Sequence, residues 1–260
     1  RVSELERAQA LNPILGCSGI AHTRWATHGE PSVANAHPHL SADRVALVHN
    51  GIIENHKELR EELRSLGYDF SSVTDTEVVV HLLHQQLASG VTLLAAMQNT
   101  VARLDGAYAL AAIDAQNPQE IVAARKGSPL VIGVGIGENF LASDQMALRQ
   151  VTDRFIYLEE GDVTVVSPIA LQIYDESGAA VERPITMISE ALEVADKGEY
   201  EHFMLKEIYQ QPHALRATLG NVPVAAIVLD EAFGEKAAAV FDRVKAVQIV
   251  ACGTSFHAGM

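Results

Sequence analysis

The sequence has little cysteine: Cys17 and Cys252 alone, too far apart to make a disulfide framework. A reducing compartment, the cytoplasm, is the expectation. Basic charge is also scarce, with 19 Lys and Arg against 33 Asp and Glu, a net charge of −14 and no Lys/Arg run. Nucleic acid and anionic membrane surfaces both need a basic footprint, so neither is expected as a partner. No apolar run approaches the ~20 residues of a membrane span, and no signal peptide opens the chain. Internal repeats and low-complexity segments are absent. So is an initiating Met: Arg1-Val2-Ser3-Glu4-Leu5-Glu6-Arg7-Ala8 reads as the middle of an amphipathic helix with no cap before it. The sequence is therefore expected to be a piece of a longer chain, ending at Gly259-Met260 just as a new structural unit begins.

What is present is an ordinary globular composition, 48% hydrophobic and 20% charged, over 260 residues. That length buries a sizeable core in one or two domains. Gly19 to Pro31 reads as a strand whose polar residues crowd toward its exit: Arg24, Trp25, Thr27 and His28. The loop that follows holds Asn35, His37 and His39, and no metal site is assigned to the two histidines because no third ligand accompanies them. Val45 to Val48 is a buried strand running into His49-Asn50-Gly51, and Asn55 reads as the cap of a helix carrying Leu59, Leu63 and Leu66 to a stop at Gly67. Thr74-Asp75-Thr76-Glu77 has the capping-box pattern, before a helix that runs through Leu87 to Gly90. His81 and His84 on that helix are given structural roles. Thr92 caps a third helix.

From Gly106 the pattern changes to short strands between turns: 108–113, 121–124, 130–134, 140–142, 155–158, 163–166 and 171–174. Strands so close in sequence must pair mostly antiparallel. Helices and strands are thus partly segregated, an α+β fold. Residues 188–199 read as a linker, 202–219 as a helix that Pro212 kinks or interrupts, and 231–244 as another helix. A buried strand over 246–251 opens onto Cys252-Gly253-Thr254-Ser255, where backbone N–H and hydroxyl groups suit an anion.

Three loop motifs fit one task. Arg24 offers a planar fork to a carboxylate. Asn50 beside the Gly51 N–H makes a donor pair suited to a developing oxyanion, although Asn-Gly is equally the strongest hairpin-turn signal. Asp75 stands at a helix start, where capping is its alternative role. Together Arg24 and Asp75 would hold the carboxylate and ammonium of a free amino acid while Asn50 and Gly51 face its side-chain carbonyl. That is equipment for hydrolysing the amide of glutamine.

The motifs GIAHTRWATHGEP, HNGIIENH, TDTEV, SPLVIG and SDQ, continued by KEIYQQP and ACGTS, closely resemble the glutamine–fructose-6-phosphate aminotransferase family. The resemblance covers nearly the whole chain. It implies an N-terminal-nucleophile (class II glutaminase) αββα sandwich over 1–191, a linker over 192–200 and the start of an α/β sugar-isomerase domain over 201–260. It implies that Arg24 and Asp75 bind glutamine, that Asn50 and Gly51 form the oxyanion hole, and that Trp25, Thr27 and His28 belong to a loop closing over the substrate. Gly253, Thr254 and Ser255 correspond to a sugar-phosphate loop. The family uses no cofactor; it hydrolyses glutamine and passes the ammonia to fructose 6-phosphate, giving glucosamine 6-phosphate, as a homodimer. Its nucleophile is a cysteine at the mature N-terminus. This sequence begins well beyond that position, and Cys17 is expected to be a small packed residue instead. A non-catalytic glutamine-binding module and the glutaminase domain of another class II amidotransferase are the alternatives.

Overall fold

The computed structural model describes residues 2–13, 16–23, 30–188, 197–218, 240–246, 248, 250, 256–257 and 259–260. The chain divides into two compact units, Arg1–Glu190 and Ala191–Met260.

The first unit opens with helix α1 (Val2–Leu11), whose described side chains are exposed. Residues 18–23 then carry no strand. The strand expected at Gly19 is therefore not formed over its described part, because these residues enter no backbone ladder. Ile20 still packs against the core, on the cluster of Ala109, Ala111 and Leu130.

The larger sheet has seven strands in the order β1 (His39–Ser41), β2 (Val45–Ile53), β3 (Gly106–Asp114), β4 (Asn117–Lys126), β8 (Val163–Val166), β9 (Leu171–Tyr174) and β10 (Ala180–Val181). The smaller has four, β11 (Ile185–Met187), β7 (Arg154–Tyr157), β5 (Val131–Val134) and β6 (Asn139–Ala142). Every ladder between these strands is antiparallel, as the short connections require. Asn117-Pro118 begins β4 rather than forming the turn, which falls one step earlier at Ala115-Gln116.

Alternation along β2 assigns its faces. Val45, Leu47 and Ile53 enter one apolar cluster together with Val78, Leu82, Leu83 and Met97 from the helices. Val48, one step out of phase, joins Ala109, Ala111, Leu130 and Ile132 in the layer between the sheets. The helices α2 (His56–Ser65), α3 (Thr76–Ala88) and α4 (Leu93–Val101) thus cover one face of the large sheet, and the small sheet covers the other. Helix α3 is buried over nearly its whole circumference, because α2 and α4 flank it and β1 and β2 lie beneath.

Local chemistry sets the helix ends. Thr92 caps α4 as expected, its Oγ1 accepting from the Ala95 N–H at 3.3 Å. Asn55 precedes α2 but makes no cap bond. Its Nδ2 donates instead to the Arg103 carbonyl at 2.8 Å and its Oδ1 accepts from the Asp105 N–H at 3.1 Å, tying α2 to the turn before β3. Leu66, expected beside Leu63, is exposed because it sits past the last turn, where Gly67 reverses the chain at φ +89°.

In the second unit, helix α5 (Phe203–Thr218) runs on through Pro212 rather than breaking there. The helix expected over 231–244 and the strand over 246–251 fall largely outside the described residues. The described Ala246, Gln248 and Val250 lie outside any strand.

Candidate functional site

β1 pairs only with Val45, Ala46 and Leu47, so the far half of β2 has an edge that β1 does not reach. Asn50 and Gly51 lie on that half. The hairpin alternative is excluded: Asn50 pairs with Ala109 and Gly51 with Tyr108 inside a continuous β2–β3 ladder. The Glu54 N–H donates to Asp105 and the Ala115 N–H to Arg44, which fixes the phase of the ladder. Hydrogen-bonded and non-hydrogen-bonded pairs alternate, so Gly51 and Ile53 turn their N–H groups away from β3, toward the edge that β1 does not reach. Gly51 takes φ +128°, and a Cβ there would lie 2.0 Å from the Ala107 carbonyl oxygen. Only glycine fits this close passage of the two backbones.

Asp75 reaches the same edge. It precedes α3 in the N-cap position but makes no cap bond; its Oδ2 accepts from the Ile53 N–H at 2.8 Å, and the residue is 3% exposed. The capping role is instead taken by Thr74, whose Oγ1 accepts weakly from the Glu77 N–H at 3.4 Å. The Glu77 carboxylate reaches back to the N–H groups of Ser71 and Ser72, at 2.7 Å each, and to both serine hydroxyls. Arg60 donates to the Ser72 and Thr74 carbonyls at 2.9 and 2.6 Å. The loop that presents Asp75 is therefore held from both ends by buried and part-buried charge-assisted bonds. Burial pushes the Glu77 carboxyl up, but these hydrogen bonds together outweigh it and leave it below the ordinary range.

Four side chains connect Asn50 to the helix layer. His22 Nε2 lies 2.6 Å from Asn50 Oδ1, and His22 Nδ1 lies 3.0 Å from His37 Nδ1. His37 Nε2 is 3.1 Å from Thr76 Oγ1, which is 3.0 Å from His49 Nδ1. His49 is buried, and burial lowers its imidazole to about 4 against the opposing pull of Asp75, whose Oδ2 is 4.0 Å away. His39 Nε2 meets Thr74 Oγ1 at 3.0 Å. Among the described residues no group of three His, Cys, Asp or Glu is arranged to hold a metal, and His37 and His39 spend ring nitrogens on threonine hydroxyls. His81 and His84 bond Ser41 Oγ and Tyr68 OH, each at 2.8 Å.

Between the sheets, a cavity of about 350 Å³ is lined by His22, Val48, Asn50, Ala109, Leu130 and Leu141 among others. This lies at the small end of ligand sites. Asn50 lines this cavity, and the Asp75 carboxylate lies on the Ile53 N–H at the edge of β2 to which the Gly51 N–H also turns. Arg24, Trp25, Thr27 and His28, and likewise Gly253, Thr254 and Ser255, lie outside the described residues. Cys17, expected to be packed, is an exposed thiol in the loop after α1. The sequence reading missed His22, His49 and Thr76. Six of the 11 histidines (22, 28, 37, 39, 49 and 56) fall within one short span, and that density was the available signal.

Residues 22–150 match the glutamine amidotransferase domain family. Over all 260 residues the chain is 59% identical to the glutamine–fructose-6-phosphate aminotransferase (isomerizing) of Pseudomonas syringae pv. tomato, 56% to that of Idiomarina loihiensis and 54% to that of Vibrio vulnificus. It spans 43%, 43% and 42% of their lengths. Among solved structures it is similar to a glutamine phosphoribosylpyrophosphate amidotransferase from B. subtilis complexed with ADP and GMP. That match has a TM-score of 0.51 and 27% identity, over 61% of this chain and 35% of the other. It is also similar to an allosteric regulatory enzyme of purine biosynthesis, with TM-score 0.50 and 29% identity over the same shares. The two stacked antiparallel sheets with helices on the larger one are accordingly the α+β, N-terminal-nucleophile type of fold.

Proposed function

We propose that this chain, whose residues 22–150 match the glutamine amidotransferase domain family, binds free glutamine at the edge of β2 that β1 does not reach and stabilises hydrolysis of its side-chain amide to glutamate and ammonia. The observation that carries this reading is that Asn50 and Gly51 lie on the half of β2 that β1 does not reach, with the Asp75 carboxylate on the Ile53 N–H of the same half. In it, Asn50 Nδ2 and the Gly51 N–H receive the developing oxyanion, two neutral donors that bring no counter-charge. The Asp75 carboxylate takes the substrate ammonium and the Arg24 guanidinium its carboxylate. Trp25, Thr27 and His28 close over the bound amino acid. The attacking group is a thiol activated by its own α-amine, a role for which Cys17, internal and without such an amine, is not equipped.

In the longer protein the ammonia passes to fructose 6-phosphate, giving glucosamine 6-phosphate. We assign residues 1–191 to the glutaminase domain, 192–200 to a linker and 201–260 to the start of the isomerase domain, with Gly253, Thr254 and Ser255 on the sugar phosphate. The division into compact units at Glu190 and Ala191 supports the first boundary, and the full-length names of the relatives support the acceptor. A cytoplasmic homodimer without a cofactor completes the proposal.

The test is kinetic, in the full-length protein. Asn50→Ala is expected to lower kcat for glutamate release by ~10²–10³ with KM almost unchanged, and Arg24→Lys to weaken glutamine binding because the bidentate fork is lost. Loss of affinity without loss of turnover in Asn50→Ala would make that residue a binding group and refute the oxyanion assignment.

A further inference from the structure

Asn50 and His49 are neighbours in β2, so their side chains leave the strand on opposite faces: Asn50 toward the cavity between the sheets, His49 toward the helix layer. The four contacts through His22, His37 and Thr76 join these two side chains around the uncovered edge of the strand. The result is a closed ring of hydrogen bonds whose last link is the 49–50 peptide.

Every link of such a ring has a direction, and one end dictates the rest. Asn50 Oδ1 can only accept, so His22 Nε2 carries its proton. His22 Nδ1 is then bare and accepts from His37 Nδ1–H, across 3.0 Å. His37 Nε2 is bare in turn and accepts from the Thr76 hydroxyl, whose oxygen accepts from His49 Nδ1–H. His49 Nε2, buried and without a hydrogen-bond partner, ends the series as a bare nitrogen.

The reverse direction is equally continuous. It would flip the Asn50 amide, point its carbonyl at the cavity, and put the final proton on His49 Nε2. A backbone hydrogen bond from this ring to Ala107 would favour a proton on it, but Nε2 does not meet the geometry of a hydrogen bond to any acceptor. A buried N–H without an acceptor is the rarer and costlier end state. The low proton affinity of the buried His49 ring keeps it neutral, as either direction needs.

We propose that His22 is a positioning residue: held in one tautomer by the His49–Thr76–His37 series, it orients the Asn50 amide so that its NH₂, not its carbonyl, faces the cavity. The inference rests on the reading of Asn50 as an oxyanion donor. A merely structural histidine cluster would hold the fold whichever way its protons ran, whereas here the proton order decides whether the cavity receives a donor or an acceptor.

The direct test needs no turnover. Two-bond ¹H–¹⁵N spectra of the histidine-labelled 260-residue chain should show His22 protonated at Nε2, and His37 and His49 protonated at Nδ1. The opposite set of tautomers overturns the proposal. Thr76→Val keeps the β-branched shape and removes the hydroxyl, so the His22 ring should become a mixture of tautomers. An unchanged His22 signal would show that the series does not control it. In the full-length protein His22→Ala should lower kcat about 10- to 100-fold with KM unchanged, and His22→Gln, which retains an N–H donor, should recover most of the loss. If Asn50→Ala lowers kcat and His22→Ala does not, the positioning role fails while the oxyanion reading stands. If Asn50→Ala leaves kcat unchanged, the oxyanion reading itself fails.

Discussion

At Gly51 the demands of the fold and of the proposed site coincide. The residue passes so close to Ala107 that any side chain meets a carbonyl oxygen 2.0 Å away, at a φ of +128° that L residues avoid. Gly51→Ala is therefore expected to cost on the order of 3 kcal/mol, read as a shift of the urea midpoint. It should also reduce glutamate release by the full-length protein beyond the stability effect, since relieving the clash moves the N–H that faces the uncovered edge. A variant as stable as wild type would show that the strands separate here without strain. Asn50 and Asp75 illustrate how far residue-level reading reaches. Both were legible as candidates, yet a turn explained Asn50 equally well, and a cap was the favoured explanation of Asp75 taken alone. Short-range sequence could not choose, because Asn-Gly and Asp before a helix serve those local purposes in most proteins.

At the scale of elements, the start of α3 is a device for placing one carboxylate. Glu77 receives four hydrogen bonds from Ser71 and Ser72, and Arg60 clamps the same loop from α2. Removing the carboxylate strands the buried Ser72 donors, so Glu77→Ala is expected to destabilise by roughly 3 kcal/mol. It should also raise hydrogen exchange selectively at Ser71, Ser72 and Ile53, the last because Asp75 no longer sits on its N–H. Exchange unchanged at Ile53 would show that Asp75 is held independently of the loop. Leu59, Leu63 and the apolar run of α3 were readable from helical spacing. That α3 would be buried nearly all round was not, since it depends on α2, α4 and the sheet arriving together.

For the whole molecule, buried groups that resist protonation make acid the weak side. His49 falls to about 4 from an ordinary value near 6.5, so the unfolded chain binds this proton more readily than the folded one. Its contribution is complete above about pH 6.5 and is lost as pH falls toward 4, a change on the order of 3 kcal/mol. Burial lowers His81 as well, and the depressed Glu77 adds a further loss below the ordinary carboxylate range. Melting temperature should therefore fall between pH 7 and 4.5, and His49→Asn should flatten that slope; an unchanged slope in the variant would show that His49 is not responsible. The sequence by itself determined the antiparallel strands after Gly106, the helix spacing, and the candidate residues Asn50, Gly51 and Asp75, because periodicity and turn chemistry are local. Tertiary structure alone decided that β1 stops short and, among the described residues, leaves the far half of β2 without a strand partner on that side. It also decided that Asp75 serves Ile53 rather than its own helix, and that His22, His37, Thr76 and His49 close around that edge. Those relations join residues tens of positions apart, and no local pattern records which backbone groups of β2 the neighbouring strand leaves to side chains.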